Sequence, residues 1–222
     1  MNTSLSQTSS QWITLLASLM LVLQLLLVVQ PMLITGIRIF ALQSFLLAAI
    51  AGVVAYTYSA GHVYVVAALT VIGKVLFLPW RLNRLVRQIH IEQEIHPFVN
   101  MPASMLTCGA LTVLAYVVAR PIVSLEHLRS STLAVAIALL LTGFFLMINQ
   151  RKAITQVLAL LTMENGVMLA AIALTTYGMP LVVEIGIFFD VVIAVMVLGI
   201  LVFRIRETFS SMDVSKLNEL KW

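Results

Sequence analysis

Seven apolar runs follow one another along this chain, at 12–34, 39–58, 62–80, 103–119, 132–148, 153–176 and 181–203. A helix needs roughly 20 apolar residues to cross the hydrocarbon of a bilayer. Lipid offers no water to an unpaired backbone, so segments of this kind must bond internally as helices. The expected fold is therefore all-α, a polytopic transmembrane helix bundle of about seven spans. The chain is 61% hydrophobic and only 10% charged. Soluble domains carry about a quarter of their residues as charges. A soluble core cannot absorb such an apolar surplus.

The remaining composition removes several classes of function. The net charge is +4, but the basic residues stand at the ends of apolar runs. Membrane topology accounts for that placement, and nucleic-acid binding is not expected. The single cysteine, Cys108, excludes an internal disulfide and any cysteine-held cluster. No nucleophile motif, phosphate loop or haem signature is visible, so no cofactor and no catalytic centre are expected. The leading stretch MNTSLSQTSSQ lacks the basic start of a signal peptide, so the first apolar run is expected to be retained.

Orientation follows from lysine and arginine. With seven spans, one side collects Arg38, Arg81, Arg84, Arg87, Arg151, Lys152, Arg204, Arg206, Lys216 and Lys221, and the other only Arg120 and Arg129. The C-terminus is expected in the cytoplasm and the N-terminus outside. Trp12, Trp80, Tyr56, Tyr58 and Tyr64 fit an interfacial aromatic belt. In the long connection 81–102, Leu82, Leu85, Val86 and Ile89 follow the spacing of an amphipathic helix. It reads as an interfacial helix, with a docking surface as the sharper alternative. The run His90, Glu92, Glu94, His96 has crude ligand spacing but no further partner, and reads as a solvated loop rather than a metal site.

The stretch TMENGVMLA, 162–170, raises the main functional question, because it sets Glu164 and Asn165 inside an apolar run. Intramembrane ionisable residues face protein or a water path rather than lipid. Lys74 and Asp190 are likewise deep, whereas Glu184 is shallower. Glu164 lies thirteen residues from Arg151 and Asp190 fourteen from Arg204, so both are roughly 20 Å from the cytoplasmic edge. Lys74, seven residues from Arg81, is roughly 10 Å deep by the same count. Gly186 and Ala194 flank Asp190 on one helical row and allow another helix to approach. Water-linked carboxylates with a lysine are parts of membrane proton relays. Glu164, Asp190 and Lys74 are therefore the candidate proton-transfer residues, with Asn165, Glu184 and Gln43 as supporting polar groups. The plainer reading is that Glu164 and Asn165 bond neighbouring helices as packing glue, as Gln24, Gln30 and Gln43 are expected to do.

The stretches QRKAITQVLALLTMENGVMLAAIAL and VEIGIFFDVVIAVMVLGILVFRI, the tail MDVSKLNEL, and GKVLFLP in the third run resemble the hydrogenase-4 component E family. That family supplies a membrane subunit to formate hydrogenlyase-type and related group 4 hydrogenase complexes. The last three runs also look like subunit K of respiratory complex I and its small counterpart in Mrp-type cation/proton antiporters. The resemblance implies two regions. Residues 1–130 would form four spans with the cytoplasmic loop 81–102, and residues 131–222 three spans and a cytoplasmic tail. It implies a non-catalytic subunit in the membrane arm of a group 4 hydrogenase or complex-I-like assembly. Its partners would be large antiporter-like membrane subunits, in the inner membrane of a prokaryote. A structural linker without proton transfer and a Mrp-type antiporter component are the alternatives. Subunit K carries two membrane glutamates used in proton transfer. Asp190 falls on the second, while the first falls on Leu161, one turn from Glu164.

The topology is testable. A cysteine introduced in the tail after residue 210 should resist an impermeant thiol reagent in intact cells, and one within 120–131 should react. The opposite pattern would reverse the orientation.

Overall fold

The computed structural model describes residues 2–58, 61–88, 98–122, 127–151 and 153–174. All belong to one unit, Met1–Gly186. Among the described residues there are seven α-helices and one π-helical segment, and no strand. They are α1 (Asn2–Val29), α2 (Leu33–Tyr58), α3 (Gly61–Thr70), the π segment (Val71–Phe77), α4 (Leu78–Gln88), α5 (Met101–Ile122), α6 (His127–Asn149) and α7 (Ala153–Leu174). Five helices among the described residues are long and apolar enough to span a membrane: α1, α2, α5, α6 and α7. The run at 181–203, Glu184, Asp190, the His90–His96 motif and the tail lie outside the described residues.

Two boundaries differ from the hydropathy reading. The first helix ends at Val29 and the second begins at Leu33, so the break falls at Pro31 and not near Arg38. Proline has no N–H to donate and pushes the residue before it out of the helical region. The third apolar run does not stop at Trp80. Helix continues from Gly61 to Gln88, passing through the π segment, and the amphipathic helix predicted after Trp80 is its direct extension. Leu82 and Val86, on the predicted apolar face, are buried, and α4 packs on α2. On the outer face Arg84 stacks its guanidinium over Trp80, 5.7 Å from the ring centroid.

The π segment has a local cause. Pro79 cannot donate a hydrogen bond, and its ring would crowd the carbonyl four residues back in a regular α-helix. In the turn before it, the Leu78 N–H reaches back five residues to the Gly73 carbonyl. GKVLFLP thus encodes a widened turn, and Lys74 is its buried residue.

The bundle is organised around two helix pairs. α6 packs along α7, α5 and α1, while α2 packs on α1, α3 and α7. The N-terminal helices therefore clasp the first two helices of the 131–222 region. Phe40, Met20, Ile37, Ile50, Leu139, Leu161 and Leu169 are sealed in this interior. Trp12, Leu15, Leu19, Val22 and Leu26 form an outward stripe on α1, and Leu106, Val113, Leu114 and Val117 one on α5. Apolar faces of this extent are the surface a bilayer covers. Hydroxyls within the spans are satisfied locally: Thr14, Ser18, Thr107, Thr112 and Thr142 each donate to the carbonyl one turn back.

The end of α6 is tied to the segment that enters α5. Asn149 accepts from the Phe98 N–H through its carbonyl at 2.9 Å and from the Val99 N–H through Oδ1 at 2.8 Å. Its Nδ2 donates to Ser104 Oγ at 3.0 Å. Arg151 lies over the Phe98 ring, 4.7 Å from the centroid. These contacts satisfy carbonyls that a helix end leaves open.

Glycine sets the closest approach, between α6 and α7. A Cβ on Gly143 would stand 2.9 Å from Met163 Cα, and one on Gly166 2.9 Å from the Leu140 backbone nitrogen. Both obstacles are backbone and cannot swing aside. Gly166→Ala should therefore lower the stability of the detergent-solubilised protein by about 1–3 kcal/mol, the usual cost of overpacking. Gly52→Ala and Gly109→Ala should be neutral or stabilising, because nothing lies within 4 Å of a Cβ there. Thermal unfolding of the three variants in one detergent checks the contrast.

Candidate functional site

α7 presents two different surfaces from one short stretch. Met163 and Gly166 face α6. Glu164 and Asn165 enter an interior shared with α1, α2 and the π segment, Thr162 borders it beside Gln24, and all three are buried. Lys74 is buried opposite them. Its Nζ stands 3.1 Å from Glu164 Oε1, with the two side chains 6% and 3% exposed. At this distance the contact is an ion pair between two buried side chains. Stripping water from both ions costs several kcal/mol each, and only their mutual attraction and further polar contacts offset that.

The further contacts are present. Lys74 Nζ donates to Asn165 Oδ1 at 3.4 Å. Asn165 Nδ2 donates to Gln43 Oε1 and to Ser44 Oγ, both at 3.1 Å. Gln43 Nε2 donates to Gln24 Oε1 at 3.0 Å and to the Met20 carbonyl at 3.3 Å. Gln24 Nε2 reaches Thr162 Oγ1 at 3.5 Å, and that hydroxyl donates to the Ala159 carbonyl at 2.8 Å. The polar path leaves α7 at Glu164, crosses the π segment, α7, α2 and α1, and returns to α7 at Thr162.

The structure thus brings together Lys74, Glu164, Asn165 and Gln43, all marked by the sequence. Counting from Arg81 set Lys74 roughly 10 Å short of the carboxylate. The two side chains meet, and the helix runs on to Gln88, so Arg81 does not mark its end. Gln24 joins the site although hydropathy marked it only as an interhelical bond. Ser44 and Thr162 were missed, since small hydroxyls in apolar helices normally bond their own backbone. Leu161, one turn from Glu164, is fully buried in the packing. No group of three His, Cys, Asp or Glu suited to a metal occurs among the described residues.

A helical bundle with apolar outer faces and charged residues paired in its interior defines a multi-pass membrane protein. Its residues 131–222 match the family model for NADH-ubiquinone/plastoquinone oxidoreductase chain 4L, to which complex I subunit K belongs. Along nearly its full length the chain is 31% identical, over 217 residues, to the hydrogenase-4 component E of Escherichia coli (strain K12), covering 96% of this chain and 99% of that one. The Shigella flexneri hydrogenase-4 component E gives the same values. An uncharacterized protein of Mycobacterium tuberculosis is 36% identical over 150 residues, 67% of this chain and 68% of that one. The chain belongs to the hydrogenase-4 component E family. No solved structure matches it.

Proposed function

We propose that this chain is a non-catalytic membrane-arm subunit of a group 4 hydrogenase or complex-I-like assembly, and that it contributes buried carboxylates to proton translocation. Glu164 is the carrier within the first helix pair of the 131–222 region, Lys74 its fixed counter-charge, and Asp190 the next carrier. Large antiporter-like membrane subunits are the partners, and electrons are handled by other subunits. The setting is the inner membrane of a prokaryote, with the C-terminus in the cytoplasm. The observation that carries the reading is the Lys74–Glu164 contact at 3.1 Å in an apolar interior. A carboxylate held against an ammonium there is a site where a proton can be held or given up. Ionised, it is stabilised by the cation; protonated, it is spared desolvation but leaves the lysine unpaired. Water reaching the pair, or a change of charge beside it, moves the proton. Family membership with hydrogenase-4 component E supports the assembly.

The test is Glu164→Gln and Asp190→Asn, singly and together, in a complex whose assembly is verified by subunit recovery. Protons translocated per electron pair should fall in each single variant. The double should cost less than the sum of the singles, because both act on one path. Lys74→Met should impair translocation more than Lys74→Arg. An assembled double variant with unchanged translocation would leave a structural linker, its acids serving only to join helices.

A further inference from the structure

Hydrogen-bond direction in the buried network is not arbitrary, because one of its members has no choice. A lysine ammonium has three donors and no acceptor. Asn165 meets it with Oδ1, so its Nδ2 is turned the other way, onto Gln43 Oε1 and Ser44 Oγ. Gln43 has then used its oxygen, and it presents Nε2 to Gln24 Oε1 and the Met20 carbonyl. Gln24 in turn donates to Thr162, and Thr162 to the Ala159 carbonyl. Each amide points its oxygen toward Lys74 and its nitrogen away. A string of amides aligned in one sense sums its dipoles with the negative end at the ammonium, and hydrogen bonds in such chains polarise one another. Carboxamides neither gain nor lose a proton near neutral pH. This arm therefore holds charge and conducts none.

We infer that Gln43 and Gln24 are positioning residues for the ion pair. Acting through Asn165, they hold its Oδ1 on the Lys74 ammonium, so that the α1–α2 side of the pair is met by groups that do not exchange protons. Their position also assigns a direction. α1 and α2 close one side of the pair with an amide chain, so protons enter and leave Glu164 from its other side. The inference rests on the proton-transfer reading only for the role of Glu164; the orientation of the chain stands on hydrogen-bond geometry.

Side-chain amide 15N spectra of the full chain in lipid bilayers test the orientation. The Gln24 signal is assigned by its loss in Gln24→Leu. Two hydrogen-bonded amides separate Gln24 from Lys74, so independent pairwise bonds would not transmit a change between them. Lys74→Met should nevertheless shift the Gln24 line, and Lys74→Arg, which keeps a cation with donors only, should leave it near its original place. In a Gln43→Leu background the chain is cut, and Lys74→Met should no longer move Gln24. If Lys74→Met alone does not fold, the pair Lys74→Met with Glu164→Gln removes both charges and supports the same comparison. A Gln24 line unmoved by loss of the lysine, or one that still moves when Gln43 is leucine, overturns the inference. Translocation is not read in this experiment. A failed proton-transfer reading would show separately, as normal translocation in an assembled Glu164→Gln complex.

Discussion

A lysine and a glutamate in contact inside an apolar bundle constrain everything around them. Neither charge tolerates loss of the other: removing one partner of a buried pair typically costs about 3–5 kcal/mol. The pair and its amides require four helical elements to meet in a fixed register. α7 brings the carboxylate, the π segment brings the ammonium, and α2 and α1 bring the amides that complete it. Alternative packings of these helices would strand a charge or an amide in hydrocarbon. The polar interior therefore selects one arrangement among helices whose outer surfaces are chemically similar.

That selection works because α7 is pressed from behind. Glu164 and Asn165 point into the polar interior, while Met163 and Gly166 lie against α6. In membranes the association of helices depends on close van der Waals contact, which glycine allows. The opening letters of TMENGV thus serve both purposes. The glycine fixes how near α7 stands to α6, and that distance fixes where the acid and the amide end up relative to α2.

Much of this was legible in the sequence, and the limits are physical. Runs of apolar residues translate directly into helices because lipid leaves the backbone no alternative. Lys74, Glu164, Asn165 and Gln43 stood out because polar groups in such runs must find partners. Who partners whom was not legible. Lys74 and Glu164 are 90 positions apart in the chain, and arginines used as depth markers put them at different levels. Pro31 carried a stronger boundary signal than the hydropathy around it, and Arg38 drew the turn to the wrong place. Gly73 and Pro79 mark the widened turn, but two such residues in an apolar run gain meaning only once the backbone is seen. The 4L-type match over 131–222 and the clasp of α1 and α2 around α6 and α7 describe different things. One records shared sequence pattern, and the other shows that the N-terminal helices supply part of the interior of that region.

The widened turn at Val71–Phe77 also works as a phase adjuster along one long helix. A π turn accommodates a residue more than an α turn does, and each residue of an α-helix advances the side chains by about 100°. Upstream, α3 keeps its register against α2; downstream, α4 must aim Leu82 and Val86 at the same neighbour. The extra residue reconciles the two settings. A chain shortened by one residue between Thr70 and Leu78 would lose that adjustment. It would have to surrender either the lysine facing α7 or the apolar face of α4 that rests on α2. The length of this segment, as much as its letters, therefore specifies where the buried cation lies.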